Sequence, residues 1–227
     1  MIVNIVSASG GQGCSSLAAM LAVNLSKQHP GRVLLVDGCP DEGVQHRLDA
    51  ERTTAYDLGD ALCGRCCVGD AMYTTGGLRI MPSAADDADV CPGELAQLLG
   101  DLSRNTDFVI YDAPCGSWSL IATVAEAADV TLICCQADEF HLSAAYRLRR
   151  RLPEADSRCR LVLTDYSVRG VREGRLWGID RAIDRVGARL IGVIPERGSR
   201  RDDPALIAGQ NIARRLQGAD IPLMKLN

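Results

Sequence analysis

A glycine-rich segment near the start of the chain has the composition of an anion-binding loop. Residues 7–16 read Ser-Ala-Ser-Gly-Gly-Gln-Gly-Cys-Ser-Ser and lie between an aliphatic run and a helical pattern. Glycines allow backbone N–H groups to wrap an anion, and the N-terminus of a helix adds a favourable dipole. The segment therefore predicts a phosphate site, the alternative being a serine-capped turn with no ligand. The expected binding residues are Gly10, Gly11, Gln12, Gly13, Cys14, Ser15 and Ser16.

The loop departs from the standard phosphate-loop pattern G-x-x-x-x-G-K-[ST] at two positions. Ala8 stands in place of the first glycine, and Cys14 stands in place of the lysine. Ser15 keeps the hydroxyl that ligates Mg²⁺ in such loops. Lysine is scarce throughout, since Lys27 and Lys225 are the only two in the chain. One is expected at the end of the first helix and the other in the tail, so neither is placed to replace the missing cation.

Short aliphatic runs alternate with helical patterns along the whole chain. This alternation predicts a parallel sheet with helices on both faces. The expected strands are Ile2–Val6, Val33–Asp37, Leu78–Met81, Phe108–Asp112, Val130–Cys135, Arg160–Thr164 and Arg189–Ile194. The expected helices are one beginning after Ser15, then Glu94–Leu102, Leu142–Leu152, Glu173–Val186 and Pro204–Leu216. Because there is no internal repeat or linker, we predict that residues 1–227 form a single doubly wound α/β domain with a mostly parallel sheet of about seven strands.

Several of these segments, in this order, resemble the deviant-phosphate-loop ATPases of the MinD/ParA family, and most closely its MinD branch. The family typically reads S-G-K-G-G-V-G-K-T-T at the loop. Residues 107–116, D-F-V-I-Y-D-A-P-C-G, resemble its second switch, and residues 190–196, L-I-G-V-I-P-E, resemble its L-V-G-V-I-P-E-D. Residues 211–216 and 221–224 resemble its last core helix and the exit from it. The resemblance implies a P-loop NTPase fold, with ATP or ADP and Mg²⁺ as ligands.

The same resemblance identifies charged groups that this chain lacks. The family's lysine that crosses a dimer interface falls on Ser9, and its phosphate-loop lysine falls on Cys14. The second carboxylate of the family's D-x-D falls on Cys39. The implied Mg²⁺ site consists of Ser15, Asp37 and Asp112, and Asp112 is the implied catalytic residue if the site is active.

These losses predict a degraded ATPase site, because phosphoryl transfer depends almost entirely on positioning and charge stabilisation. The implied protein binds nucleotide weakly or not at all, and acts as a regulatory, partner-binding protein in division-site placement or a related positioning process. The alternative is a working MgATP hydrolase with a substitute cation, drawn from Arg47 or from the Arg197–Arg201 segment.

Cysteine is abundant, with ten residues in the chain. Cys14, Cys39 and Cys115 each follow an expected strand, so they are expected to surround one cleft. A thiol-based metal or redox protein is therefore a second alternative to incidental thiols. The Cys63–Cys67 segment contains a C-x-x-C core, for which a structural or incidental role is the expectation.

Composition and charge limit the partners. The net charge of −4 argues against nucleic acid, so the arginine-rich run Arg147–Arg151 is expected to be a solvated helix face. The first residues have no export signal, which predicts a cytoplasmic protein. The residues up to Asn227 have no amphipathic segment, which predicts no membrane binding through this C-terminus. Protein partners and a homodimer are the interactions that the resemblance implies.

Overall fold

The computed structural model describes residues 1–40, 43–85, 90–153, 158–196 and 203–225. The Arg197–Arg201 segment, named above as a source of a substitute cation, lies outside the described residues. Along the described part of the chain, strands and helices alternate as the sequence predicts. The strands are β1 Ile2–Val6, β2 Val33–Asp37, β3 Tyr73–Thr75, β4 Leu78–Met81, β5 Phe108–Asp112, β6 Val130–Gln136, β7 Cys159–Tyr166 and β8 Arg189–Pro195. The helices are α1 Cys14–Gln28, α2 Gly43–Leu48, α3 Leu58–Leu62, α4 Pro92–Ser103, α5 Trp118–Ala127, α6 Glu139–Arg149, α7 Val168–Arg172, α8 Ile179–Val186 and α9 Pro204–Leu216.

The strands form one sheet in the order β3-β4-β2-β5-β1-β6-β7-β8. All neighbouring pairs are parallel except β3 with β4. The predicted doubly wound α/β class is confirmed, with eight strands in place of about seven. The additional strand, β3, has only three residues and lies at the edge, where a hairpin through Gly76 and Gly77 returns the chain to β4.

Two apolar layers cover the sheet. On one face, α1 and α9 pack through residues such as Leu17, Leu21 and Ile212. On the other face, α4, α5, α6 and α8 pack through residues such as Leu99 and Val124. Strands β1, β2 and β5 are buried at every position, which explains why their sequences are aliphatic without alternation.

The prediction of one helix over Glu173–Val186 is wrong for residues 173–178. The chain forms the short helix α7, turns through residues 173–178, and begins α8 only at Ile179. Gly174 has a φ of 73°, a left-handed conformation that ends the preceding helix without steric cost. The backbone N–H of Trp177 then donates to the carbonyl of Ala137 at 2.6 Å, which attaches this turn to the end of β6.

Candidate functional site

A cleft of about 480 Å³ opens at the carboxyl ends of the parallel strands. Strands β5 and β6 lie on either side of β1, so the strand order reverses beside the loop that follows β1. This is the place where doubly wound sheets bind ligands. Its lining comes from the ends of five strands and from α1, α2 and α9, and includes Gly10–Ser16, Cys39, Arg47, Ala113, Cys115, Thr164, Asp165 and Pro195.

The glycine-rich loop adopts two left-handed residues before the helix begins. Gly11 has a φ of 77° and Gly13 a φ of 79°, and Gly13 is the N-cap of α1. These conformations are readily available only to glycine. The Gln12 side chain is buried, and its Oε1 accepts a hydrogen bond of 2.8 Å from the backbone N–H of Gln136. Gln12 therefore anchors the loop to β6.

Cys14, Ser15 and Ser16 form the first turn of α1, where backbone N–H groups have no partner within the helix. The Cys14 thiol contacts the buried Cys134 thiol of β6 through a hydrogen bond. This contact is the largest cause of the raised pKa of Cys134, and burial is the second. The position that would hold a lysine is therefore occupied by a short neutral group that faces another thiol.

Asp37 is the last residue of β2, and Cys39 lies in the turn that follows it. The carboxylate of Asp37 is fully buried, and its Oδ1 accepts a hydrogen bond of 2.9 Å from the backbone N–H of Cys39. Its Oδ2 lies 3.4 Å from the backbone nitrogen of Val44 in α2. The carboxylate that the sequence assigned to Mg²⁺ thus also fixes the path of the chain from β2 into α2.

Asp112 ends β5 beside this turn and is also fully buried. Its Oδ2 lies 3.7 Å from the Sγ of Cys39, and its Oδ1 has no hydrogen-bond partner. Burial raises the pKa of Asp112 to about 6, against hydrogen bonds from Ser15 and Cys39 and the charge of Arg47. Burial and the negative charges of Asp112 and Asp37 raise the pKa of the Cys39 thiol. A buried carboxylate with an unsatisfied oxygen is a natural position for a cation or for a donor on a ligand.

Gly10–Ser16 and Cys39 line the cleft, and Asp37 and Asp112 lie buried beside Cys39. This arrangement fits a phosphate group with Mg²⁺. The loop presents backbone N–H groups, Ser15 contacts Asp112, and the orphaned Oδ1 of Asp112 is available. The cleft volume falls in the range of ordinary ligand pockets. The three cysteines expected at the cleft, Cys14, Cys39 and Cys115, all line it.

Two charged residues of the cleft are marked by no sequence motif. Arg47 lies on α2, a helix that the sequence did not predict, and is exposed at the cleft. Asp165 interrupts the regular pairing of β7 with a φ of 48°, and its carboxylate accepts a hydrogen bond of 3.1 Å from the Gln136 side chain. The sequence indicated Arg47 as one source of a substitute cation, and the structure places it at the cleft, whereas Asp165 was not predicted.

The arginine run Arg147–Arg151 is only partly a solvated face. Arg151 lies over the ring of Trp118 at 4.7 Å, and Arg150 lies 6.0 Å from the ring centroid of Tyr146. No disulfide joins any of the ten cysteines. Within the described ranges, no helix is both long enough and apolar enough to span a bilayer.

Gly38 lies where the ends of β2 and β5 approach each other closely. Its N–H donates to the carbonyl of Asp112 at 2.9 Å, and a Cβ would lie 2.6 Å from Tyr111 Oη and 2.7 Å from that carbonyl oxygen. We expect Gly38→Ala to lower the free energy of unfolding by about 1–3 kcal/mol, the usual cost of overpacking. Urea denaturation measures this, with Gly69→Ala as the control because a Cβ there meets nothing within 4 Å. Equal losses in both variants would show that this close approach does not matter.

The chain is similar to known proteins over most of its length. The model of the family described as cellulose biosynthesis protein BcsQ matches residues 1–170. The septum site-determining protein MinD of Bacillus subtilis (strain 168) is 26% identical, over 98% of this chain and 91% of that protein.

Solved structures share the fold over nearly the full length. The MinC:MinD cell division protein complex of Aquifex aeolicus contains a chain with a TM-score of 0.86 and 24% identity, covering 100% of this chain and 99% of that one. The MinD of Pyrococcus horikoshii OT3, solved in complex with Mg-ADP, has a TM-score of 0.81 and 22% identity, covering 95% of each chain.

Proposed function

Because the chain belongs to the MinD/ParA family of P-loop ATPases, with the BcsQ model matching residues 1–170, we propose that it is a partner-binding regulator with a degraded ATPase site. In this proposal nucleotide binds weakly through the backbone of the loop, and hydrolysis does not occur at a rate useful to a cycling ATPase. The observation that carries the proposal is a formed phosphate cradle in which Ser9, Cys14 and Cys39 occupy the family's charged positions.

The absence of the two family lysines has a large effect on the free energy of phosphate binding. A unit charge about 4 Å from a phosphate oxygen contributes roughly 4 kcal/mol at an effective dielectric constant near 20. Two lysine positions hold neutral side chains here, Ser9 and Cys14. Among the described residues that line the cleft, Arg47 is the only lysine or arginine. The loop thus retains its shape and dipole but has lost most of the charge that would attract and stabilise a phosphate.

The remaining residues have separate tasks in this proposal. The backbone N–H groups of Gly10–Cys14 would bind the phosphates, and Gln12 fixes the loop against β6. Ser15 and Asp112 would hold Mg²⁺, with Asp37 supporting the turn that carries Cys39. When bound, Mg²⁺ would neutralise the charge of the phosphates. Its positive charge would also stabilise the buried carboxylate of Asp112.

The proposed partners are proteins. MinD of Aquifex aeolicus was solved with MinC, and the matched family model is described as a cellulose biosynthesis protein. We therefore place this chain in a positioning process, either division-site placement or the siting of a polysaccharide-synthesising assembly. A homodimer across the cleft belongs to the same proposal, whereas nucleic acid does not, given the net charge of −4.

A second candidate, a working MgATP hydrolase, is favoured by one observation. Arg47 lines the cleft, and its positive charge lies close enough to Asp112 to lower that group's pKa. A guanidinium can bind phosphate oxygens in a bidentate manner, so Arg47 has the chemistry of a substitute cation.

Steady-state ATP turnover by reduced protein with Mg²⁺ separates the two candidates. We expect the unmodified protein to show no turnover above that of Asp112→Ala. Turnover that disappears in both Asp112→Ala and Arg47→Ala would establish the second candidate and overturn the first. Arg214→Ala is the control for loss of an exposed arginine, since Arg214 lies roughly 13 Å along α9 from the cleft residue Ala205.

A further inference from the structure

Two buried carboxylates and one thiol converge where β2 and β5 end, and the thiol-bearing residue, Cys39, lines the cleft. The ligand atoms of Asp37, Cys39 and Asp112 all lie within 4.8 Å of one another. The Sγ of Cys39 lies 3.7 Å from the Oδ2 of Asp112. Among the residues that the structure describes, this is the only group of three or more histidine, cysteine or acidic side chains with metal-binding spacing.

An independent feature also points to a ligand. Asp112 has no exposed surface, and its Oδ1 has no hydrogen-bond partner within the protein. Asp37 is equally buried, and its Oδ1 accepts a backbone hydrogen bond that orients the carboxylate. A buried oxygen without a donor costs free energy, which a bound cation would recover.

The thiol determines which cation fits. Mg²⁺ prefers an all-oxygen octahedral shell, whereas zinc and its analogues bind thiolate together with carboxylate. Bond lengths of about 2.3 Å to sulfur and 2.0–2.2 Å to oxygen place the donor atoms of a tetrahedral ion roughly 3.5 Å apart. The separation of 3.7 Å between Cys39 Sγ and Asp112 Oδ2 already matches that requirement.

We propose that Asp37, Cys39 and Asp112 form a binding site for a thiophilic divalent cation of the zinc class. Three protein ligands leave one position for water or for a phosphate oxygen, as in open zinc sites. On binding, the sulfur–metal bond replaces the S–H bond of Cys39, and the proton is released to solvent. Cys39 stands where the family has a carboxylate. In this proposal the substitution removes a negative charge and also changes the preferred metal from Mg²⁺ to an ion of the zinc class.

Cobalt(II) titration of reduced, metal-free protein without nucleotide tests this site. A cobalt–thiolate bond produces a charge-transfer band in the near ultraviolet, and we expect that band to saturate at one ion per chain. Cys39→Ser should abolish it, and Asp112→Asn should weaken Co²⁺ binding by more than about 100-fold, since even outer-sphere partners of a metal contribute 10- to 100-fold. Zn²⁺ should displace the cobalt, and excess Mg²⁺ should not.

Two controls separate this site from other thiols. Cys115→Ser removes another thiol of the same cleft, and the triple variant Cys63→Ser/Cys66→Ser/Cys67→Ser removes the C-x-x-C segment; both should keep the band. A third variant, Cys39→Asp, supplies an oxygen ligand and should lose the band while gaining affinity for Mg²⁺. The proposal is overturned if the unmodified protein gives no band, or if the band survives Cys39→Ser. Because nucleotide is absent, neither result depends on the proposed nucleotide site.

Discussion

Replacing Cys14 by lysine is expected to increase the affinity for MgATP by about 100-fold, because a charge about 4 Å from a phosphate oxygen contributes roughly 4 kcal/mol before desolvation. Cys14 is the first residue of α1, directly after the left-handed Gly13, and it lines the cleft. A lysine there would extend from a loop that already has the required backbone conformation. Calorimetric titration of the Cys14→Lys variant measures the gain.

Cys14→Met is the matched control for this prediction. Methionine has a comparable length and removes the contact with Cys134 equally, but it brings no charge. An unchanged affinity in Cys14→Lys would show that the loop does not surround phosphate. An equal gain in Cys14→Met would assign the effect to the lost thiol contact.

Asp112→Asn is expected to stabilise the nucleotide-free, metal-free protein at alkaline pH. Burial raises the pKa of Asp112 to about 6 from an ordinary value of 3.8, so the charged form is unfavourable in the folded state. Stability is therefore greatest below the unfolded-state pKa and declines as pH rises through about 6. The difference between the two values corresponds to about 3 kcal/mol at 1.36 kcal/mol per pH unit, which is the upper limit of the gain near pH 8.

Urea denaturation in the presence of a chelator, near pH 4 and near pH 8, tests this prediction. The advantage of Asp112→Asn should be present at the higher pH and vanish at the lower. Asp220→Asn removes an exposed carboxylate and controls for the same change in net charge. A stability gain that is equal at both pH values would contradict a buried, unfavourably charged Asp112.

Much of the fold could be predicted because the central strands are uniformly aliphatic. Strands β1, β2 and β5 are buried on both faces, and the boundaries predicted for them are those of the structure. The sequence did not predict β3, whose three residues are too few to show a pattern, or α5. Helix α5 begins after Ser117, whose side chain makes no capping hydrogen bond.

The candidate site was predictable in its location but not in its contacts. A glycine-rich loop after the first strand and acidic residues at the ends of β2 and β5 identify the sheet edge, because parallel strands end on the same side. The contact of Cys14 with Cys134 and the anchoring of Gln12 to β6 depend on strand order, which no local pattern specifies. The convergence of Cys39 with Asp37 and Asp112 depends equally on the pairing of β2 with β5.

The most direct measurement is calorimetric titration of reduced protein with MgATP and MgADP. A cradle without its lysines should bind either nucleotide with a dissociation constant near or above about 1 mM, which corresponds to a binding free energy of about −4 kcal/mol. No saturable heat below that concentration agrees with the proposed degraded site. Saturation in the micromolar range would contradict it, because a cation such as Arg47 would then have to supply the missing interaction.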